Sequence, residues 1–324
     1  MSKQKKLITI VIFIELIIIS GLLTWLYQKK YSSGVLGAVQ VTELKKEYLQ
    51  FPPLGDLKQF YEPKANIVLK EQPEGFPEES INTINSDSLN ERFEYSVEKP
   101  PDTFRIVALG DSWTYGQWVN TKDNWPEQLE DLLNDKNKCN KFNKYEIINL
   151  GMKGYDAAYV TKRFDLRGKK YNPDMVIYFV QGGDFTISPD IFLSKVVEEE
   201  DKITDKKKRE LEKNGLYHQV WNRVRDETLA KFKEDDVIAQ ELAHFHHLLQ
   251  APPERKILIS STTMNDKIKN VVQAAIKSYP HTAFFSNAPD VASLGMDLPD
   301  GHPNKNGYTK IAHYIFTLLP NICN

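Results

Sequence analysis

From residue 104 onward the chain alternates short apolar runs with stretches of helical periodicity. The runs are Phe104 to Leu109, Glu146 to Leu150, Pro173 to Val180, Lys256 to Ser260 and Thr282 to Phe285. A short continuous apolar run bounded by turn residues reads as a strand buried on both faces. Between the runs, apolar residues recur at helical spacing: Leu129, Leu132 and Leu133, then Ile268, Val271, Val272, Ala275 and Ile276, and last Ile311, Ala312, Ile315 and Leu319. Asn124-Trp125-Pro126-Glu127 carries a capping residue, an early proline and a glutamate, which together signal a helix start. This alternation predicts an α/β fold with a parallel sheet covered on both faces.

A long connection, about residues 186–252, separates the third and fourth runs. Its first half is charged, and its second half sets Ile238, Leu242, Phe245 and Leu249 at helical spacing. Connections of this length are usually functional or mobile, so it is read as a helical cap, with a decorative surface excursion as the alternative.

The N-terminal part has a different pattern. Residues 7–27 read LITIVIFIELIIISGLLTWLY, close to the ~20 apolar residues that span a bilayer as a helix. Lys3, Lys5 and Lys6 precede the run, and Lys29 and Lys30 follow it, a balance that favours a cytoplasmic N-terminus only slightly. A cleaved signal peptide is the competing reading, disfavoured by the length of the run and the lack of a small-x-small site after Tyr27. Glu15 sits mid-span, where an ionisable group is costly. The expected order is therefore residues 1–6 in the cytoplasm, an anchor over 7–27, a juxtamembrane linker over 28–64, a lead-in over 65–100 and a catalytic domain over 101–324. That domain would lie outside the cytoplasm.

Composition narrows the function classes. The 324 residues are 27% charged with a net charge of −2, and no basic stripe with interleaved aromatics suggests a nucleic-acid partner. Two cysteines, Cys139 and Cys323, are too few for a disulfide framework. His244 and His247 share a helical face, but no carboxylate or cysteine completes a zinc set, so no metal or other cofactor is expected.

Chemistry concentrates at two turns. The first apolar run stops at Gly110-Asp111-Ser112, where a sheet of this class places its ligand site, beyond the carboxyl ends of its strands. Ser112 there is either a nucleophile or part of an ordinary turn. A serine nucleophile needs an adjacent imidazole, and the imidazole an orienting carboxylate. Near the C-terminal end, Asp297-Leu298-Pro299-Asp300-Gly301-His302-Pro303 offers His302 as the base, with Asp300 as the candidate carboxylate and Asp297 as runner-up.

Taken together, these segments resemble the SGNH (GDSL) hydrolases over roughly residues 101–320. Gly110-Asp111-Ser112 matches the family's first block, Asn149-x-Gly151-x-x-Gly154 its second, and Asp300 with His302-Pro303 its last. The resemblance implies a flavodoxin-like three-layer sandwich around a five-stranded parallel sheet. It also implies a serine esterase in which the amides of Ser112 and Gly154 serve as oxyanion donors. One block departs: where the family has Gly-x-Asn-Asp, this chain has Gln181-Gly182-Gly183-Asp184, with Gly183 in the place of the asparagine. Losing one such donor costs roughly 100- to 1000-fold in rate unless Gln181, the Gly183 amide or another group replaces it. The substrate implied is an ester-bearing carbohydrate or lipid of a cell envelope, with O-acetyl esters among the candidates, and the membrane is a second partner through the N-terminal helix. The alternatives are an O-acyltransferase using the same residues and a binding protein with a decayed site.

Overall fold

The computed structural model describes residues 48–73, 75–136, 142–193, 195, 217–250, 255–262, 264–280 and 282–319. The expected anchor, Cys139, Cys323 and the charged half of the long connection lie outside these residues. No helix among the described residues is long and apolar enough to cross a membrane.

Each apolar run forms a strand. The strands are β5 (Thr103–Gly110), β6 (Lys144–Asn149), β7 (Met175–Phe179), β8 (Lys256–Ser261) and β9 (Ala283–Asn287). All neighbours pair in parallel in the order β6-β5-β7-β8-β9. Alternate residues of β5 face opposite layers. Ile106 and Ala108 pack with α2 (Trp125–Lys136) and α7 (Lys305–Leu318), while Val107 and Leu109 pack with α3 (Ala157–Arg163), α5 (Glu234–Leu249) and α6 (Asp266–Lys277). The result is a three-layer α/β sandwich. Side-chain oxygens start the helices: Asn124 accepts from Glu127 N at 2.9 Å, Asp156 from Tyr159 N at 2.8 Å and Asn304 from Gly307 N at 3.0 Å. Because β6 lies on one side of β5 and β7 on the other, the crossovers from β5 run in opposite directions across the sheet while the strands stay parallel. Ligand crevices open at the carboxyl ends of strands at such a switch point.

The linker expected over 28–64 needs correction from residue 48 onward. Leu49, Leu57, Phe60 and Tyr61 are buried in the main core, and β1 (Leu49–Gln50) pairs antiparallel with β2 (Glu62–Pro63). Glu62 is buried and pairs with Arg163 at 3.2 Å and also with Arg167. These residues are scattered apolars in a Pro- and Gly-bearing stretch, so they show no period, yet they supply partners to charges on the sandwich. The lead-in forms the hairpin β3 (Ile67–Glu71) and β4 (Ser80–Ile84). Its later part is fixed by the fully buried Arg105 of β5, which pairs with Glu146 at 2.6 Å and donates to the carbonyls of Ser96 at 3.0 Å and Tyr171 at 2.8 Å.

The long connection includes α4 (Tyr217–Leu229) and α5. α5 is held to the sandwich by Glu241, which is buried and accepts from Ala158 N at 3.0 Å. Burial pushes the Glu241 carboxyl up to about 7, against the lowering effect of its bonds from Ser188 and Ala158. Burial, and then the charge of Glu241, push its neighbour Asp156 well above the ordinary aspartate range. The folded chain thus holds these protons more tightly than the unfolded chain, where glutamate titrates near 4.5. Stability is therefore expected to fall as pH rises from about 4.5 through about 7. Burial pushes Glu130 to about 7 and Asp111 to about 6, and both add to the same slope. Denaturant titrations across this range should show the decline, and Glu241→Gln, which stays neutral, should flatten it in part. An unchanged slope in that variant would mean that Glu241 is charged in the fold.

Candidate active site

Three loops meet at the carboxyl end of β5. Gly110 ends the strand at φ 151°, where a Cβ would lie 2.8 Å from the Phe179 carbonyl oxygen of β7. The short helix α1 (Ser112–Tyr115) follows, capped by Asp111, which accepts from Trp113 N at 2.9 Å. After β6 the chain returns towards β5, and Met152 N donates to Gly110 O at 3.2 Å. Gly151 lies so close to α1 that a Cβ there would stand 2.8 Å from Thr114 Cβ. Asn149 fixes this turn by accepting from Gly151 N at 2.9 Å.

The loop between β9 and α7 carries His302 to the same place. Its backbone closes on itself through Leu298 N to His302 O at 2.7 Å and a bridge between Asp297 and Pro303. His302 Nε2 lies 2.7 Å from Ser112 Oγ, and its Nδ1 lies 2.8 Å from Asp300 Oδ2. Asp300 Oδ1 also accepts from the His302 amide at 3.1 Å. Asp300, rather than Asp297, therefore reaches the ring, and Asp297 serves the loop through its backbone. The site is largely closed to solvent, with Ser112 2% and His302 7% exposed. Burial raises the Asp300 carboxyl, but hydrogen bonds from His302 and Trp118 outweigh it and hold the group below the usual carboxylate range. Such an arrangement can take a proton from a hydroxyl and hold the resulting imidazolium.

The amides of Ser112 and Gly154 donate to no other described residue, and Gly154 turns at φ 74°. Gly183 lies in the 3-10 turn Gly182–Phe185, after β7. The Gln181 side chain caps that turn by accepting from the backbone at Asp184, while Asp184 Oδ2 accepts from Gln181 N at 3.1 Å. The oxygen of Gln181 is thus committed to the turn. His247 faces Asp165 at 3.2 Å, and no group of three or more metal-ligating side chains occurs among the described residues.

One contact had no sequence signal beyond the aromatic density of Trp113-Thr114-Tyr115-Gly116-Gln117-Trp118. The Trp118 indole Nε1 donates to Asp300 Oδ2 at 2.6 Å, across 182 residues.

No curated protein matches this chain. Among solved structures it is similar to TesA at 14% identity and a TM-score of 0.42, covering 66% of this chain and 97% of that one. It is similar to the psychrotrophic esterase EstA from Pseudoalteromonas sp. at 12% identity and a TM-score of 0.43, covering 67% and 97%. A putative lipolytic protein of the G-D-S-L family from Desulfitobacterium hafniense DCB-2 is similar at 18% identity and a TM-score of 0.34, covering 66% and 98%. The family model for GDSL-like lipase/acylhydrolase matches residues 106–315, from within β5 to within α7. That span takes in the Ser112 turn and the His302 loop and exceeds half of the chain, which therefore belongs to this family of ester-cleaving hydrolases.

Proposed function

We propose that the chain is a membrane-tethered serine esterase that removes acyl groups, acetyl among them, from an envelope polysaccharide or lipid outside the cytoplasm. The observation that carries the chemistry is the continuous relay from Ser112 Oγ through His302 to Asp300, with separations of 2.7 Å and 2.8 Å. The apolar run over residues 7–27 supports the tether, and the lysines before it support a cytoplasmic N-terminus.

In this reading His302 Nε2 takes the Ser112 hydroxyl proton as Oγ attacks the ester carbonyl. Asp300 holds the ring and stabilises the imidazolium. The oxyanion forms against the amides of Ser112 and Gly154, with the Gly183 amide or the Gln181 side chain as the third donor. His302 then gives its proton to the departing alcohol oxygen, leaving an acyl group on Ser112. Water, deprotonated in turn by His302, releases the acid and restores the serine. The loss of a side-chain amide at Gly183 favours one second reading, a protein that binds the ester with little turnover.

Fluorophosphonate labelling of the full-length protein in mild detergent, followed by peptide mapping, separates these readings. A single adduct on Ser112 is expected, absent in Ser112→Ala and slowed by about 1000-fold or more in His302→Ala. A folded protein that acquires no adduct would rule out the esterase reading and leave the binding one. With a turned-over ester in hand, added sugar acceptor that accelerates acyl loss would indicate transfer rather than hydrolysis.

A second substitution bears on the departure from the family pattern. Gly183→Asn restores a side-chain amide at a position whose backbone needs no positive φ. It is expected to raise kcat by about tenfold or more, given what one oxyanion donor contributes. No gain would show that another group already fills this role.

A further inference from the structure

Trp118 lies in the loop beyond α1 with a backbone φ of 67°. For a bulky residue this is an outlier. Strain of this kind persists only where the surroundings over-determine it, and it gathers at working sites. Here the surroundings hold the indole on several sides. Its N–H donates to Asp300 Oδ2 at 2.6 Å, the same oxygen that faces His302 Nδ1 at 2.8 Å. Phe76, from the lead-in, packs on the ring with centroids 5.3 Å apart. Lys153 Nζ lies 4.8 Å from the ring centroid on a side chain that is almost wholly buried. Lys153 is in turn ion-paired with Glu71 of β3, and its own carbonyl accepts from Tyr61 OH at 2.7 Å.

Both other bonds to Asp300, from the ring and from the amide of His302, come from the same loop. The indole is a third donor that comes from a different element, so it ties the carboxylate to the body of the protein and shares the negative charge on the oxygen that faces the ring.

We propose that Trp118 is a positioning residue for the Ser112, His302 and Asp300 relay. Its indole N–H fixes Asp300 against His302, and the lead-in fixes the indole, directly through Phe76 and indirectly through Glu71 and Lys153. The inference rests on the relay reading given under the proposed function. It makes the segment before the matched family span part of the site's architecture, because Glu71 and Phe76 both precede residue 106.

The groups that face the relay are Asp111 from the start of α1, Tyr308 from α7, Lys153 from the turn after β6, and Glu71, which reaches it through Lys153. None of these changes when only the indole donor is removed, so a change in pH dependence reports on that donor.

Two variants of the full-length protein in mild detergent test the inference. Trp118→Phe removes the N–H and shortens the ring. Replacement of Trp118 by benzothienylalanine keeps the ring shape and exchanges the N–H for sulfur, which guards against a variant that fails to fold. The readout is the rate of fluorophosphonate labelling at Ser112 as a function of pH, with thermal unfolding alongside. Labelling is expected to slow by about tenfold in both variants. The acid limb of the profile should move to higher pH, because the Asp300 oxygen that faces the ring then has no other donor to share its charge. Wild-type rates with an unmoved acid limb would overturn the inference while leaving the relay intact. A fall in unfolding temperature with unchanged labelling would do the same and assign Trp118 a packing role. If the wild-type protein itself gains no adduct, the relay reading fails and this inference falls with it.

Discussion

Everything at the site depends on how closely the chain after β6 lies against the chain after β5. At Gly151 the two backbones approach to a distance that no side chain would allow, and at Gly110 the strand turns where β7 leaves no room for a Cβ. The approach is secured by hydrogen bonds from Met152 to Gly110 and from Gly151 to the Asn149 side chain. With these loops in contact, α1 is held from below by the sheet and from the side by the turn after β6. The His302 loop then has one fixed target. Catalytic geometry is precise when it stands on rigid elements, and here the rigidity comes from absent side chains as much as from present ones.

A second constraint is the treatment of buried charge. An ion removed from water is tolerable only when it is paired and its remaining hydrogen-bonding capacity is used. Arg105 meets this condition with Glu146 and three carbonyls, while Arg163 meets it in part, pairing with Glu62 and donating to the Ser88 carbonyl but leaving its buried Nε without a partner. Each arrangement joins the sandwich to a segment that precedes it in the chain. The carboxyls of Glu241 and Asp156 meet the condition differently, by keeping protons that exposed acids would lose. The same device binds the inserted helix α5 to the N-terminal end of α3.

The sandwich was legible in the sequence because its strands are buried on both faces and its helices on one, and each condition leaves a period in the residues. The convergence of Ser112, His302 and Asp300 was legible because those residue types stand beside turns at strand ends, where a sheet of this class gathers its loops. What stayed hidden lacks a period. Leu57, Phe60 and Tyr61 are irregularly spaced, so their burial depends on partners such as Tyr155 and Tyr159, far along the chain. Trp118 looked like one aromatic among several, since nothing near it in sequence indicates an acceptor 182 residues away. The choice between Asp300 and Asp297 likewise turned on the loop's own backbone closure, which spacing alone does not determine.

The joining of the early segment to the sandwich also bears on the order in which the protein can assemble. Glu62 is made about a hundred residues before Arg163 and Arg167, and Ser112 190 residues before His302. During synthesis the first part of this segment therefore leaves the ribosome with its charges unmatched and its aromatics uncovered. It must wait for the turn after β6 and for α3 before it can close. Contacts of such long range slow folding, because the entropy of closing the loop is spent before the contact forms. The interval in which a half-made chain exposes these groups is thus written into the topology, and it ends only when the chain through Arg167 has emerged.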